Sequence, residues 1–554
     1  MKIVECVPNF SEGRDQKILD QIAAEIRSIK GTTLLDIDPG ADTNRTVFTF
    51  VGEPEAVLES AFLAIRKAAE LIDMSKHQGA HPRMGATDVC PLIPVSDITM
   101  EECVELAGKL GKRVGEELGI PVYLYEYAAS KPEWKNLANV RKGEYEALPD
   151  KMKDPAWKPD FGPHQFNAKA GATAISAREF LIAYNINLNT RDKKKAHDLA
   201  LLIRETGKVK RDSKGKIVRD DEGNKVYEPG LFTHCKAVGW YIDEYDRAQI
   251  SINLTNYKVT PPHLVLEKVR ELATESGINV TGSELVGLIP KEALLMAGKY
   301  YLRRMGESAG IPEIKIIQTA IQSMGLSDLG PFEINKKIIE YSISSRDRLI
   351  DLSLVEFADE LSSDSPAPGG GSVAALCGTL SGALSAMVAN LTFGKAGYEK
   401  NWDISAQLAE KGQRIKEQFL AAIDQDTRAF YAMMEALRLP KKTDEEKKIQ
   451  EAALQQATQK AILVPLETMK LAWQAMELAE KIATIGNINA LSDAGVAAIT
   501  ADSAARSAYL NIKINMSGIT DESFKFKVLT QADELLEKIH NLAVKIEKNV
   551  KSKL

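Results

Sequence analysis

Of 554 residues only seven are histidine and five cysteine. The cysteines, Cys6, Cys90, Cys103, Cys235 and Cys377, are scattered without a CxxC or Cys/His spacing. That pattern indicates neither a zinc site nor a disulfide framework, no metal is expected, and a reducing, cytoplasmic setting fits best. Positive charge is not in excess either: 71 Lys and Arg against 77 Asp and Glu leave a net charge of -6. Such a balance argues against broad attraction to nucleic acid or acidic lipid, so an anionic ligand must be met by a local basic pocket. The opening "MKIVECVPNF" lacks a basic segment followed by an apolar run and a small-residue cleavage site, so no secretion signal is expected. One stretch, Gly369 to Gly394, carries no charge, is long enough to span a bilayer and contains Gly378-x-x-x-Gly382. Its Ser, Thr, Asn and Gly content, with no basic flank at its start and no aromatic belt, predicts instead a helix buried in protein, without a membrane partner.

The length that is present suits two to four domains. The extended run "KIVECVPN" precedes Lys17 to Ile29, where Ile18, Leu19, Ile22, Ile26 and Ile29 fall at helical spacing. Two β-rich runs follow, "TTLLDID" and "RTVFTFVG", separated by the turn-rich "PGADTN"; then come a helix over about 55–72 and a strand at "DVCPLIPV". The order β-α-β-β-α-β recurs from "FLIAYNINLN", with a helix near 193–205, strands at "KAVGWYID" and "AQISINL", a helix from Pro262 to Ser276 and the strand "INVTGSELVG". Two ferredoxin-like subdomains are therefore expected, with a small-molecule groove between them. The Pro-, Gly- and Lys-rich segment between them, residues 150–173, is long for a connection unless it lines a pocket. The insertion "GKVKRDSKGKIVRDDEGNKVYEPG" reads as a solvated hairpin. From about residue 346 to the end Ala, Leu, Glu, Lys and Gln dominate, predicting an all-α domain with helices near 404–437, 445–481, 492–513 and 521–550.

Two constellations have chemical potential. "SKHQGAHPRMGATD" crowds His77 and His81 into a loop beside Arg83 and Asp88. An imidazole there exchanges protons near neutrality, Arg83 suits a carboxylate and Asp88 suits orienting a ring; equally, either histidine caps a helix or bonds a turn, and HxxxH without a third ligand is a weak metal signal. Upstream, alternation puts Asp36 and Asp38 on one face of a strand with Arg45 across the turn, as a site or as turn-formers. In the helical half Phe419, Ile423, Asp426, Phe430, Met433 and Leu437 form one core-facing seam, with Asp426 where an apolar residue belongs. Such a carboxyl is either a general acid or base with a raised pKa, or half of a buried ion pair, for instance with Arg506. The glycines of "SDSPAPGGGSVAAL" leave backbone N–H groups free for an anion, or let another segment pack closely.

Taken in order, "VECVPNFSEG", "LLDIDPGADTNRTVFTFVG", "HPRMGATDVCPLIPV", "DFGPHQF", "GSELVGLIP", "APGGGSVAAL" and "LRLPKKTDEEK" resemble the formimidoyltransferase-cyclodeaminase family across nearly the whole chain. The resemblance implies transfer of a formimino group from N-formimino-L-glutamate to N5 of tetrahydrofolate, a cosubstrate carrying a polyglutamate tail, with His81 as catalytic acid/base and His77 as its support. Asp38 and Arg45 match the same pocket, and Gly162, Pro163, His164, Gln165, Phe166, Asn167, Ala168, Lys169, Ala170 and Gly171 match the folate-binding segment. The helical half is implied to cyclise 5-formimino-tetrahydrofolate to 5,10-methenyl-tetrahydrofolate with loss of ammonia, through Asp426. No permanently bound cofactor is implied, and the expected assembly is a homo-oligomeric ring of dimers. The resulting division is 1–178 and 179–327 for the two transferase subdomains, 328–345 for a linker and 346–554 for the helical domain. The rivals are a chain with one active half and a non-catalytic folate-binding scaffold.

Overall fold

The structure, a computed structural model, describes residues 2–40, 44–79, 82–242, 245–342 and 348–554. It divides into two compact units, Met1–Leu294 with Met324–Ser344, and Leu295–Ser323 with Ser345–Leu554. The first is sheet-rich and the second helical.

In the first unit, β1 (Ile3–Cys6), β2 (Asn9–Phe10), β3 (Thr32–Gly40), β4 (Arg45–Gly52), β5 (Thr87–Ser96), β6 (Val122–Glu126) and β7 (Thr173–Ala177) form one sheet. Its core order is β3-β4-β1-β5, antiparallel throughout. Alternation decides which face is buried: Phe48 and Phe50 of β4 are fully buried against α1 (Gln16–Arg27), α2 (Pro54–Leu71) and α3 (Met100–Leu118), while Arg45, Val47 and Thr49 point the other way. The expected β-α-β-β-α-β order is present, and β7 and β6 extend it as parallel strands beyond β5. Neither was expected, because "TAISA" of β7 is buried at all five positions and so lacks the alternation that marks a half-exposed strand.

The second sheet contains β8 (Ile182–Leu188), then, past α4 (Lys193–Ile203) and the insertion strands β9 (Lys208–Val209) and β10 (Tyr227–Glu228), β11 (Cys235–Ile242), β12 (Arg247–Leu254) and, after α5 (Pro262–Glu275), β13 (Val280–Val286). Its order is β11-β12-β8-β13, all antiparallel. Ile182, Tyr184, Ile186 and Leu188 are buried on one face; Asn185 and Asn187 lie on the other, where Asn185 Nδ2 donates to Glu284 Oε2 at 3.1 Å. The insertion is exposed and contains two turns of like build: Asp212 Oδ1 accepts from the N–H groups of Lys214 and Lys216, both at 2.9 Å, and Asp220 Oδ1 accepts from Glu222 and Asn224 at 3.0 and 2.8 Å.

The second unit is built around α6 (Gly370–Thr392), α7 (Trp402–Leu437), α8 (Asp444–Ile485), α9 (Leu491–Asn515) and α10 (Glu522–Lys551). Small residues bring α6 and α9 close: Gly378 and Ser381 of α6 and Ala497, Ala501 and Ala505 of α9 are buried, and Ser381 Oγ donates to the Ala497 carbonyl at 2.7 Å. Among the described residues α6 is the one helix long and apolar enough, by length and composition, to cross a membrane; 61% of its most apolar window is buried inside the unit. Pro465 inside α8 cannot bond the Ala461 carbonyl, and Asn515 Nδ2 donates to that carbonyl at 3.2 Å instead.

The proposed seam of α7 is only partly a core seam. Phe419 and Ile423 are buried, Asp426, Phe430 and Met433 are half-buried, and Leu437 is 44% exposed. The heptad spacing is real, but the last turns of α7 are not covered by neighbouring helices within the unit.

Candidate functional sites

The faces of the two sheets of the first unit that carry no helices line a cleft of about 1440 Å³. Its walls include Glu5, Asp36, Asp38 and Arg45 from the first sheet and Lys236 and Asn253 from the second, with Arg141 and Arg178 from connecting segments. Asp36 and Asp38 thus share a face as their spacing predicts, and burial, aided by the Asp38 charge, raises the Asp36 pKa. Glu5 stands alone among apolar neighbours on β1 and is 3% exposed; burial pushes its pKa up to about 7 against the opposing pull of Arg178. Burial also raises the Tyr125 phenol, to about 12.

The histidine loop is tied down by a network centred on Asn44, whose φ of +47° is left-handed, a conformation asparagine tolerates. Its Oδ1 accepts from Gly13 N at 3.0 Å, its Nδ2 donates to the Gln78 carbonyl at 3.0 Å, and its own carbonyl accepts from His77 Nε2 at 2.9 Å. Arg83 Nε donates to His77 Nδ1 at 3.2 Å, so the two bonds together fit a neutral ring with its proton on Nε2. His81, the proposed acid/base, lies outside the described residues. Arg83 does grip carboxylates, but they belong to the chain: Glu146, at 2.7 and 2.9 Å, and Glu144, at 3.1 Å. Asp88 is fully buried; among the described residues it meets no imidazole, accepting from Met84 N at 3.0 Å and pairing with Arg141.

The segment Gly162–Gly171 is not part of the cleft lining. It packs beside the histidine loop: Met74 N donates to the Lys169 carbonyl and Ala86 N to that of Ala170, both at 2.9 Å, while Tyr145 stacks near Phe166, with ring centres 5.5 Å apart, and donates its hydroxyl to the Ala168 carbonyl at 2.6 Å. Pro163, His164 and Gln165 are exposed.

In the helical unit Asp426 meets the glycine-rich start of α6. Ser372 Oγ donates to Asp426 Oδ2 at 3.0 Å, and a Cβ added at Gly371 would overlap the Asp426 carboxyl. Burial raises the Asp426 pKa, and the Ser372 hydroxyl and backbone N–H pull the other way. Arg506 is not its partner: it pairs with Asp502 at 3.8 Å and is 65% exposed, one turn along its own helix. Asp424, two residues away, points elsewhere and accepts from Leu349 N at 3.0 Å. The glycines of "PGGGS" therefore serve close packing, and what packs there is the carboxyl. Among the described residues no group of three or more His, Cys, Asp or Glu side chains is placed to hold a metal ion.

Sequence reasoning missed Glu5, Arg141 and Arg178. Glu5 left a signal, as the one acid inside the apolar strand "KIVECV"; the arginines left none, because only the fold brings residues 141 and 178 to strands that start at residue 3.

Three family descriptions match the chain in tandem: "Formiminotransferase domain, N-terminal subdomain" over residues 3–178, "Formiminotransferase domain" over 183–344 and "Formiminotransferase-cyclodeaminase" over 353–534. The chain is 43% identical over 542 residues to formimidoyltransferase-cyclodeaminase of Mus musculus, covering 97% of this chain and 96% of that protein. It is 43% identical over 302 residues to glutamate formimidoyltransferase of Streptococcus pyogenes, covering 54% of this chain and 94% of that one. It is also 40% identical over 198 residues to methenyltetrahydrofolate cyclohydrolase of Methylorubrum extorquens, covering 36% and 95% respectively.

Proposed function

Since the chain belongs to the formiminotransferase-cyclodeaminase family, we propose that its two units catalyse successive steps on one folate. In the first, N5 of tetrahydrofolate attacks the amidine carbon of N-formimino-L-glutamate, the N5 proton is taken up, and a proton is returned to the glutamate nitrogen as its bond to that carbon breaks. His81 is the acid/base for that exchange. His77, neutral and held at both ring nitrogens, supports the loop rather than carrying protons. The Gly162–Gly171 segment contacts the folate beside the loop, and Asp38 and Arg45 act in the cleft.

In the second step N10 attacks the carbon of the 5-formimino group and ammonia leaves, giving the 5,10-methenyl bridge. Asp426 accepts the N10 proton and delivers a proton to the departing nitrogen. The observation that carries this reading is a carboxyl set against the start of α6, its pKa raised by burial and held by one serine. A group so placed changes protonation closer to neutrality than an exposed aspartate does.

The finer architecture proposed is two ferredoxin-like layers, supported by the antiparallel order shared by the two sheets, with domain limits at 1–178, 179–327 and 346–554 about a 328–345 linker. A cytoplasmic, homo-oligomeric protein, built as a ring of dimers, is proposed alongside; five free cysteines, with Cys6 Sγ and Cys90 Sγ at hydrogen-bond distance, 3.5 Å, and not joined in a disulfide, suit a reducing setting. Purified protein mixed with N-formimino-L-glutamate and tetrahydrofolate tests the activities: ammonia and methenyl-folate absorbance should rise together. Transfer without ammonia leaves only the first unit active, and no transfer favours a folate-binding scaffold.

A further inference from the structure

We infer that Arg45 and Arg141 form a fork for a carboxylate of the formimino donor, an inference that rests on the proposed transfer reaction. Arg45 opens β4, and with Val47 and Thr49 it faces the cleft. It follows Asn44, whose carbonyl holds His77, so it stands at the foot of the histidine loop. Its Nε is buried and, among the described residues, meets no hydrogen-bond acceptor. The nearby fully buried carboxylate, Asp88, is already spent on Arg141 and on Met84 N. Two guanidiniums therefore share one acid; burial lowers the Arg45 pKa most, the Asp88 charge opposes that, and the Arg141 charge adds to the lowering.

A desolvated guanidinium N–H without an acceptor is costly, and a planar carboxylate entering the cleft satisfies it in the geometry that arginine favours. Both substrates carry carboxylates, and their chemistry separates them. In N-formimino-L-glutamate the α-carboxylate is joined through one carbon to the nitrogen that departs. In tetrahydrofolate the glutamate tail is separated from N5 by the reduced pterin, a methylene bridge and the aminobenzoyl group. A cationic pair at the foot of the loop where transfer is proposed therefore suits the donor, and Arg45 sets the preference for an amino-acid carrier of the formimino group.

Kinetics of the full-length protein test this with N-formimino-L-glutamate, its α-amide and its γ-amide. Losing one charge-assisted contact in Arg45→Met should raise KM for N-formimino-L-glutamate about 10- to 100-fold, with KM for tetrahydrofolate held within about twofold. Arg45→Lys should recover part of the loss. The amide that removes the bound carboxylate should bind wild type and Arg45→Met alike, because each change deletes the same contact. An unchanged donor KM, or a loss that falls on tetrahydrofolate and grows with tail length, overturns the fork. Calorimetric titration with N-formimino-L-glutamate separates the two layers. An inactive wild type that binds the donor through Arg45 refutes the transfer reading alone; an Arg45→Met protein that binds the donor as wild type does refutes the fork.

Discussion

At Asp426 a carboxyl is withdrawn from water, and among the described residues a hydroxyl and an N–H, rather than a cation, support its charged form. Its folded pKa lies above the unfolded value, so its contribution to stability is complete below the unfolded pKa and is lost as pH rises through the folded one. Asp426→Asn should therefore raise Tm at neutral pH while cutting ammonia release about a hundredfold or more and sparing transfer, as thermal scans and the two assays will show. Ser372→Ala removes a group that lowers the Asp426 pKa, so the acidic limb of the cyclisation pH profile should move upward. Glu5 follows the same sign with a larger shift. Its pKa of about 7 stands above the ordinary carboxyl value, so stability is full below pH 4.5 and is lost up to pH 7. Glu5→Gln should be roughly 3 kcal/mol more stable than wild type at pH 8, with the gap closing near pH 4, by urea unfolding at both pH values.

Elements that alternate or repeat cleanly were legible in the sequence: β4, whose even positions are buried, and the four long helices α7 to α10. β7 was not, because burial on both faces erases alternation, and the end of the α7 seam was overestimated, because periodicity describes a face without saying what covers it. The start of α6 shows the same limit. Glycines at 369–371 signalled close approach, yet only the fold reveals that the approaching group is the carboxyl of Asp426, on another helix. Two glycine substitutions should separate the two uses of close packing. At Gly371 a methyl group meets the mobile end of Asp426, so Gly371→Ala should displace the carboxyl and slow cyclisation about tenfold or more, with little change in Tm. At Gly378 it meets the buried ring of Phe419, so Gly378→Ala should cost about 1–3 kcal/mol in thermal or urea unfolding.

On the scale of the whole molecule, the tandem order of the family matches and the difference between the two units point to two reactions run by separate machinery. The sequence singled out two candidate groups, an imidazole in an interrupted loop, which lies outside the described residues, and an acid in an apolar stripe. Their surroundings were not legible: Asn44 reaching across to Gln78 and Gly13, and Arg141 arriving at Asp88, are contacts between segments far apart in the chain. If the machinery is separate, damage to one unit should leave the other working. His81→Ala should abolish formimino transfer yet still cyclise 5-formimino-tetrahydrofolate supplied from outside, as methenyl-folate absorbance will report. The most direct measurement follows ammonia and 5-formimino-tetrahydrofolate together after Asp426→Asn protein is mixed with N-formimino-L-glutamate and tetrahydrofolate. The expected result is 5-formimino-tetrahydrofolate accumulating at the wild-type transfer rate with ammonia nearly absent; ammonia released at the wild-type rate would contradict a proton-handling role for Asp426.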